Sequence, residues 1–141
     1  MRRFLRSLIL LTIALLTATS CGDEPDGKWD KMKWTNVNNL MQEQGSYLIP
    51  EAGGTFRFQC RNYGHIWIAS YTINGVSFPI NGESLPEMDD VWFTVIIKDN
   101  IMTIVAEPLP ESVESRYFSL ELTAGDIFDT FVFKQQRGNH L

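Results

Sequence analysis

The chain has 141 residues, with twelve Lys and Arg against seventeen Asp and Glu, which gives a formal net charge of −5 at pH 7. A balance this acidic argues against a nucleic-acid-binding protein and against peripheral binding to anionic lipid headgroups. Two cysteines are too few for a disulfide framework, and a chain of this length buries a sufficient core without one.

The first twenty residues have the layout of a secretory signal peptide. Three arginines precede an apolar run from Leu8 to Leu16, and the small polar stretch 17–20 follows. The apolar run is shorter than the roughly 20 residues that a membrane-spanning helix needs. Small residues at positions 18 and 20, directly before Cys21, resemble the lipobox of bacterial lipoproteins. We therefore predict that Cys21 is lipidated, with palmitate-type acyl chains; a plain secreted protein cut near Ser20 is the alternative.

The predicted lipid on Cys21 determines where we expect the protein to be. The acidic, Pro- and Gly-rich stretch 22–27 resembles the signal that carries lipoproteins of Bacteroidota to the cell surface. Two or three acyl chains are sufficient for stable anchoring, so the membrane is an expected partner and the outer membrane, at the cell surface, the expected location. Removing twenty residues from 141 leaves 121, and these hold nine basic and seventeen acidic residues, a formal net charge of −8.

Residues 21–45 are interpreted as a tether that ends in an N-terminal latch. Large apolar side chains such as those of Trp29, Met32 and Trp34 are rarely left fully exposed to solvent. They are interpreted as a latch packed onto the domain, with the membrane interface and a ligand platform as alternatives. The stretch 36–45 has no clear periodicity and is expected to be irregular, with a helical turn around 39–43.

Alternating strands begin at Ser46, and residues 46–136 are predicted to form one domain, followed by a frayed tail at 137–141. The period-two alternation and turn signals such as Asn74-Gly75 predict seven to eight short strands joined by hairpins. No helix is convincing. The fold class is therefore predicted to be all-β: an antiparallel, two-sheet, immunoglobulin-like β-sandwich.

Three stretches of this domain are similar to a known family. Glu51–Phe58, Ser115–Asp126 and Phe131–Gln136 resemble the opening strand, the strand with its Ala-Gly turn, and the closing strand of the BACON domain, and Trp67 falls where that family often has a tryptophan. The resemblance implies an immunoglobulin-like module of Bacteroidota envelope proteins that often lies beside glycan-degrading modules. It implies carbohydrate or mucin binding, or a spacer role.

A ligand surface is predicted from the alternation of two strands. Trp67 and Tyr71 are four residues apart, and Trp92 alternates with Phe93 and Val95. If the aliphatic neighbours of these three aromatic residues face the core, Trp67, Tyr71 and Trp92 face outward as a candidate ligand or partner surface. The alternative is that they pack structurally, beneath the latch or with the alternation reversed.

The sequence contains no convincing catalytic set, so we expect no enzymatic activity, no cofactor and no metal. His65 and His140 are isolated, no nucleophile elbow or phosphate loop occurs, and Cys60 ends an alternating run as a small buried hydrophobe. The prediction is a non-catalytic surface lipoprotein that binds glycans or mucin, or adheres to them. The alternative is a structural or assembly subunit, or a spacer, of a surface complex or fimbria-like fibre.

Overall fold

The structure, a computed structural model, describes residues 29–80, 87–90 and 92–138, and within them it contains strands and turns but no helix. No helix in these ranges is long and apolar enough to cross a membrane. Eleven strands follow one another within these ranges. They are β1 (Trp34–Asn36), β2 (Gln42–Glu43), β3 (Ser46–Ile49), β4 (Gly54–Cys60), β5 (Trp67–Ile73), β6 (Val76–Pro79), β7 (Glu87–Asp89), β8 (Phe93–Lys98), β9 (Ile101–Ala106), β10 (Ser115–Ala124) and β11 (Ile127–Gln136).

The strands form two sheets with the connectivity of an immunoglobulin-like sandwich. One sheet has the order β1-β4-β9-β8-β7 and the other the order β2-β3-β11-β10-β5-β6. The run β1-β4-β9-β8 corresponds to strands A, B, E and D of the immunoglobulin fold, and β11-β10-β5-β6 to G, F, C and C′. The predicted fold class is confirmed. One pair, β3 with β11, is parallel, whereas all the others are antiparallel.

Aromatic rings from both sheets fill the space between them. Phe93 and Phe118 stack with centroids 3.7 Å apart, and Phe118 lies 4.9 Å from Phe133. Such pairs add about 0.5–1.5 kcal/mol to the burial of each ring. The alternate inward positions of the central strands supply the rest of this core: Phe56, Phe58, Ile68, Val95, Met102, Ile104, Leu120, Leu122 and Phe131.

Three short strands lie where no strand was predicted. β1, β2 and β7 are two or three residues long, too short to show an alternation. The helical turn expected at 39–43 is wrong, because the side chain of Asn36 bonds both the N–H and the carbonyl of Leu40 and Asn39 has a φ of 52°. The predicted latch region thus contributes two strands to the sandwich, one to each sheet.

The segment that leads into β1 lies against the domain from Met32 onward, whereas Trp29, which was predicted to pack there too, is 59% exposed. Met32 is buried in the core, and the indole of Trp34 contacts Phe131 edge-on, with ring centroids 4.9 Å apart. Trp34 Nε1 donates to Asp129 Oδ2 at 2.8 Å. Asn62 bonds the backbone of this segment twice, at Lys31 O and at Lys33 N. Residues 31–36 are therefore held by both packing and hydrogen bonds.

A buried polar network closes the opposite end of the sandwich. Gln135 is completely buried, and its Oε1 accepts from Arg116 Nε at 2.8 Å. Its Nε2 donates to the carbonyls of Pro50, Glu51 and Glu107 at 2.8, 3.3 and 3.1 Å. Since these carbonyls belong to two separate loops, one amide ties both loops to β11.

Candidate ligand surface

The predicted outward orientation of Trp92 is wrong. Trp92 is only 6% exposed and contacts Phe93 and Phe118 at centroid distances of 4.8 and 5.2 Å. It lies just before β8 begins, so it does not follow the alternation of that strand. The guanidinium of Arg116 lies 4.3 Å from the centre of its ring, a cation–π contact, and burial lowers the pKa of Arg116. Trp92 is thus part of the core.

The prediction that Trp67 and Tyr71 share a face is also wrong, because β5 contains a bulge. Ile68 pairs with Leu122 and Ser70 pairs with Glu121, which leaves Ala69 without a partner on β10. An extra residue shifts the alternation by one, so the positions after it change faces. Tyr71 therefore lies on the inner face, where its ring stacks on Phe78 with centroids 5.0 Å apart.

Trp67, which precedes the bulge, does face solvent, and a second aromatic residue lies near it. Thr123 on β10 pairs with Trp67 on one side and with Phe128 on the other. Trp67 is 37% exposed and Phe128 is 58% exposed. These three residues, which we call the aromatic row, cross three strands on the outer face of the six-stranded sheet. Two strand spacings separate the two rings, roughly 10 Å.

Phe128 was not predicted as a site residue, although the sequence carries the signal for it. Phe131, Phe133 and Gln135 occupy one face of β11, so period two places Phe128 on the opposite, solvent-facing side. The signal is a phenylalanine two residues after the Gly125-Asp126 turn, at a position of β11 that faces away from the core.

Polar side chains lie next to the aromatic row. Ser70, Glu121 and Thr130 are neighbours on adjacent strands, one row further along the same face. Ser70 Oγ donates to Glu121 Oε2 at 2.9 Å, which holds the carboxylate in place. An exposed apolar row thus lies beside an acceptor that a hydrogen bond holds in place.

The remaining chemical candidates are the cysteines and the histidines. Cys60 is a free, completely buried thiol, as predicted, and its Sγ lies 3.6 Å from Asn62 Oδ1. His65 is largely exposed, with Nδ1 3.7 Å from Oδ1 of Asp99, which lies in the turn between β8 and β9. Within residues 29–80, 87–90 and 92–138, no group of three or more His, Cys, Asp and Glu side chains is placed to hold a metal ion. Cys21, the predicted lipidation site, and His140 lie outside the described residues.

The fold and this surface define an immunoglobulin-like β-sandwich with an exposed aromatic row on one sheet. A solved NMR structure of a protein from Bacteroides thetaiotaomicron is 32% identical in sequence, with a TM-score of 0.67, and the match covers 83% of this chain and 96% of that one. The chain belongs to the same family as this Bacteroides protein.

The other comparisons add less. Titin M4 matches at 10% identity with a TM-score of 0.40, over 77% of this chain and 97% of that one. A chimeric titin Z1Z2 tandem matches at 16% identity and a TM-score of 0.40, over 76% of this chain and 51% of that one. No family model matches the chain, and no curated protein matches it.

Proposed function

We propose that the protein is a non-catalytic, lipid-anchored binding module of the cell surface, with glycans or mucin as its ligand class. The observation that carries the proposal is the aromatic row, in which Trp67 and Phe128 lie exposed on either side of Thr123. An exposed apolar patch on a sheet face is the kind of surface that marks an interaction site. The lipobox-like stretch before Cys21 and the resemblance to the BACON domain support the same proposal.

The aromatic row can be tested with two substitutions. Trp67→Ala and Phe128→Ala remove side chains that face away from the core, so both variants should fold. Each should weaken binding to mucin oligosaccharides by about tenfold or more, as expected for an aromatic residue at the centre of a contact. Ile101→Ala is the matched control, since Ile101 is an exposed apolar residue on the other sheet.

Titration calorimetry with the full-length protein, purified in detergent, measures the effect. Equal affinities for the row variants and the Ile101 control would rule out the row as the glycan site. A parallel assay of adsorption to liposomes tests whether the aromatic row contacts the membrane instead of a glycan. If the row variants lose only adsorption to liposomes, the row contacts the membrane and the glycan proposal fails.

A second candidate function, assembly with another protein, is favoured by a different observation. β6 forms an edge of the six-stranded sheet in the described part of the chain, and Val76 and Phe78 on it are 59% and 39% exposed. An edge strand with apolar side chains can accept a strand from a partner. Val76→Lys should then abolish copurification of that partner, whereas it should leave glycan binding unchanged.

A further inference from the structure

A polar cavity of about 240 Å³ opens on the outer face of the six-stranded sheet, away from the aromatic row. Its lining residues come from β11 and from the β2–β3 hairpin: Glu43, Gln44, Ser46, Leu48, Lys134 and Gln136. This volume is about that of eight water molecules in the liquid and lies below the range of drug-sized pockets. A cavity of this size holds one sugar ring.

One lining residue of the cavity, Leu48, is apolar although it lies on the side of the sheet that faces away from the core. Leu48 pairs with Lys134 in the parallel β3–β11 ladder, and its neighbours Tyr47 and Ile49 pack against the core on the other face. Leu48 is nevertheless only 4% exposed. The surface that the cavity offers to a ligand is therefore mostly polar, which suits the hydroxyl groups of a sugar.

The walls are held in place by a tight hairpin. β2 and β3 pair through Glu43 and Ser46, and the two turn residues between them, Gln44 and Gly45, have φ values of 49° and 83°. Positive φ at both positions is the type I′ geometry that fits the twist of a two-residue hairpin. The turn therefore fixes Glu43 and Ser46 on one side of the cavity, opposite Lys134.

Lys134 provides the positive charge of this cavity, and Glu43, on the hairpin, provides a negative one. No ion pair joins Lys134 to an acidic side chain in the described part of the chain. A lysine ammonium beside a cavity binds a carboxylate through a charge-assisted hydrogen bond. Glu43 is an acceptor, and Ser46 and the amide of Gln44 are acceptors and donors, for hydroxyl groups. The set matches a sugar that carries one carboxylate and several hydroxyls.

The cavity and the aromatic row lie on the same face and are connected by β11. Phe128 and Lys134 are six residues apart on this strand, roughly 20 Å at the rise of an extended chain. The outward positions between Phe128 and Lys134 are occupied by Thr130 and Val132. Because both side chains are short, the surface between the cavity and the aromatic row is flat. A short oligosaccharide spans this distance, whereas a single sugar does not.

From these observations we infer that the cavity is a subsite for an acidic sugar at the end of an oligosaccharide that runs along β11 to the aromatic row. The inference rests on the proposed glycan binding and adds to it the charge of the ligand and the direction in which it lies. Sialic acids and uronic acids share the required carboxylate, and the experiment distinguishes them.

The experiment compares matched pairs of probes on the full-length protein in detergent. Mucin oligosaccharides are titrated before and after enzymatic removal of sialic acid, and an oligouronide is titrated beside its neutral, carboxyl-reduced form. We expect at least one acidic probe to bind about tenfold or more tightly than its neutral counterpart, with an affinity that falls as salt is added. A preference within the mucin pair identifies the ligand as a sialic acid, and a preference within the oligouronide pair identifies it as a uronic acid.

Lys134→Met should abolish the preference for the acidic probe and leave binding of the neutral probe unchanged. Lys98→Met is the matched control, because Lys98 is an exposed strand lysine at the end of β8, on the other sheet. The inference is overturned if no acidic probe is preferred, or if the preference survives Lys134→Met. If neutral probes still bind through Trp67 and Phe128 in that case, the proposed function stands without the subsite.

Discussion

Replacing Gln135 by methionine isolates the polar network that closes one end of the sandwich, since the two side chains have similar length and volume. The variant removes the acceptor of Arg116 Nε and the donor to three loop carbonyls. Each carbonyl keeps another donor, so none loses its last hydrogen bond. The bond to the charged guanidinium contributes about 1.5–3 kcal/mol and the remaining bonds add less. We expect the free energy of unfolding to fall by about 2–4 kcal/mol.

Urea denaturation followed by tryptophan fluorescence measures this change. Gln59→Met is the control, because Gln59 is an exposed residue on β4, and its loss should stay within about 0.5 kcal/mol. A Gln135→Met variant whose stability falls by less than 1 kcal/mol would show that the amide is not the tie between the two loops. The reasoning would also fail if the variant and the control lost the same amount.

Three further predictions concern other parts of the fold. Burial, and to a lesser degree the charge of Asp129, raise the pKa of Tyr47 above 10.0, so the unfolded chain ionises first. Stability should therefore fall as the pH rises past about 10, and Tyr47→Phe should reduce this fall in melting experiments without changing stability at neutral pH. Gly53→Ala should cost several kcal/mol, because φ is +71° and the added Cβ would lie 2.2 Å from Ala106 O; an unchanged urea midpoint would contradict this. Trp34→Phe should cost about 1–3 kcal/mol through the lost indole bond to Asp129, and Asp129→Ala in the Trp34→Phe background should add little.

Alternation predicted most of the sandwich because eight of its strands are four or more residues long and place apolar side chains on one face. It failed at Tyr71 for a physical reason. A bulge at Ala69 adds one residue to β5, so the residues after it change faces. No residue type near Ala69 indicates a bulge in the sequence. Trp92 was misplaced because it lies one residue before its strand, where period two no longer applies.

The aromatic row illustrates the other limit of the sequence. Trp67 and Phe128 are 61 positions apart, and only the pairing of β5 and β11 with β10 brings them to one row. The register of those strands depends on the bulge, the turns and the core together. A surface assembled across three strands therefore needs the fold before its members can be recognised.

The segment that precedes β1 has a consequence for how an anchored domain would lie relative to the cell. Trp34 is bonded to Asp129, the neighbour of Phe128, so the chain joins the sandwich at the end that carries the aromatic row. Cys21 precedes Trp29 by eight residues, which span at most roughly 28 Å. With lipid on Cys21, Trp29 can therefore lie at most roughly 28 Å from the membrane surface. The aromatic row then lies near the end of the sandwich that is tied to the anchor.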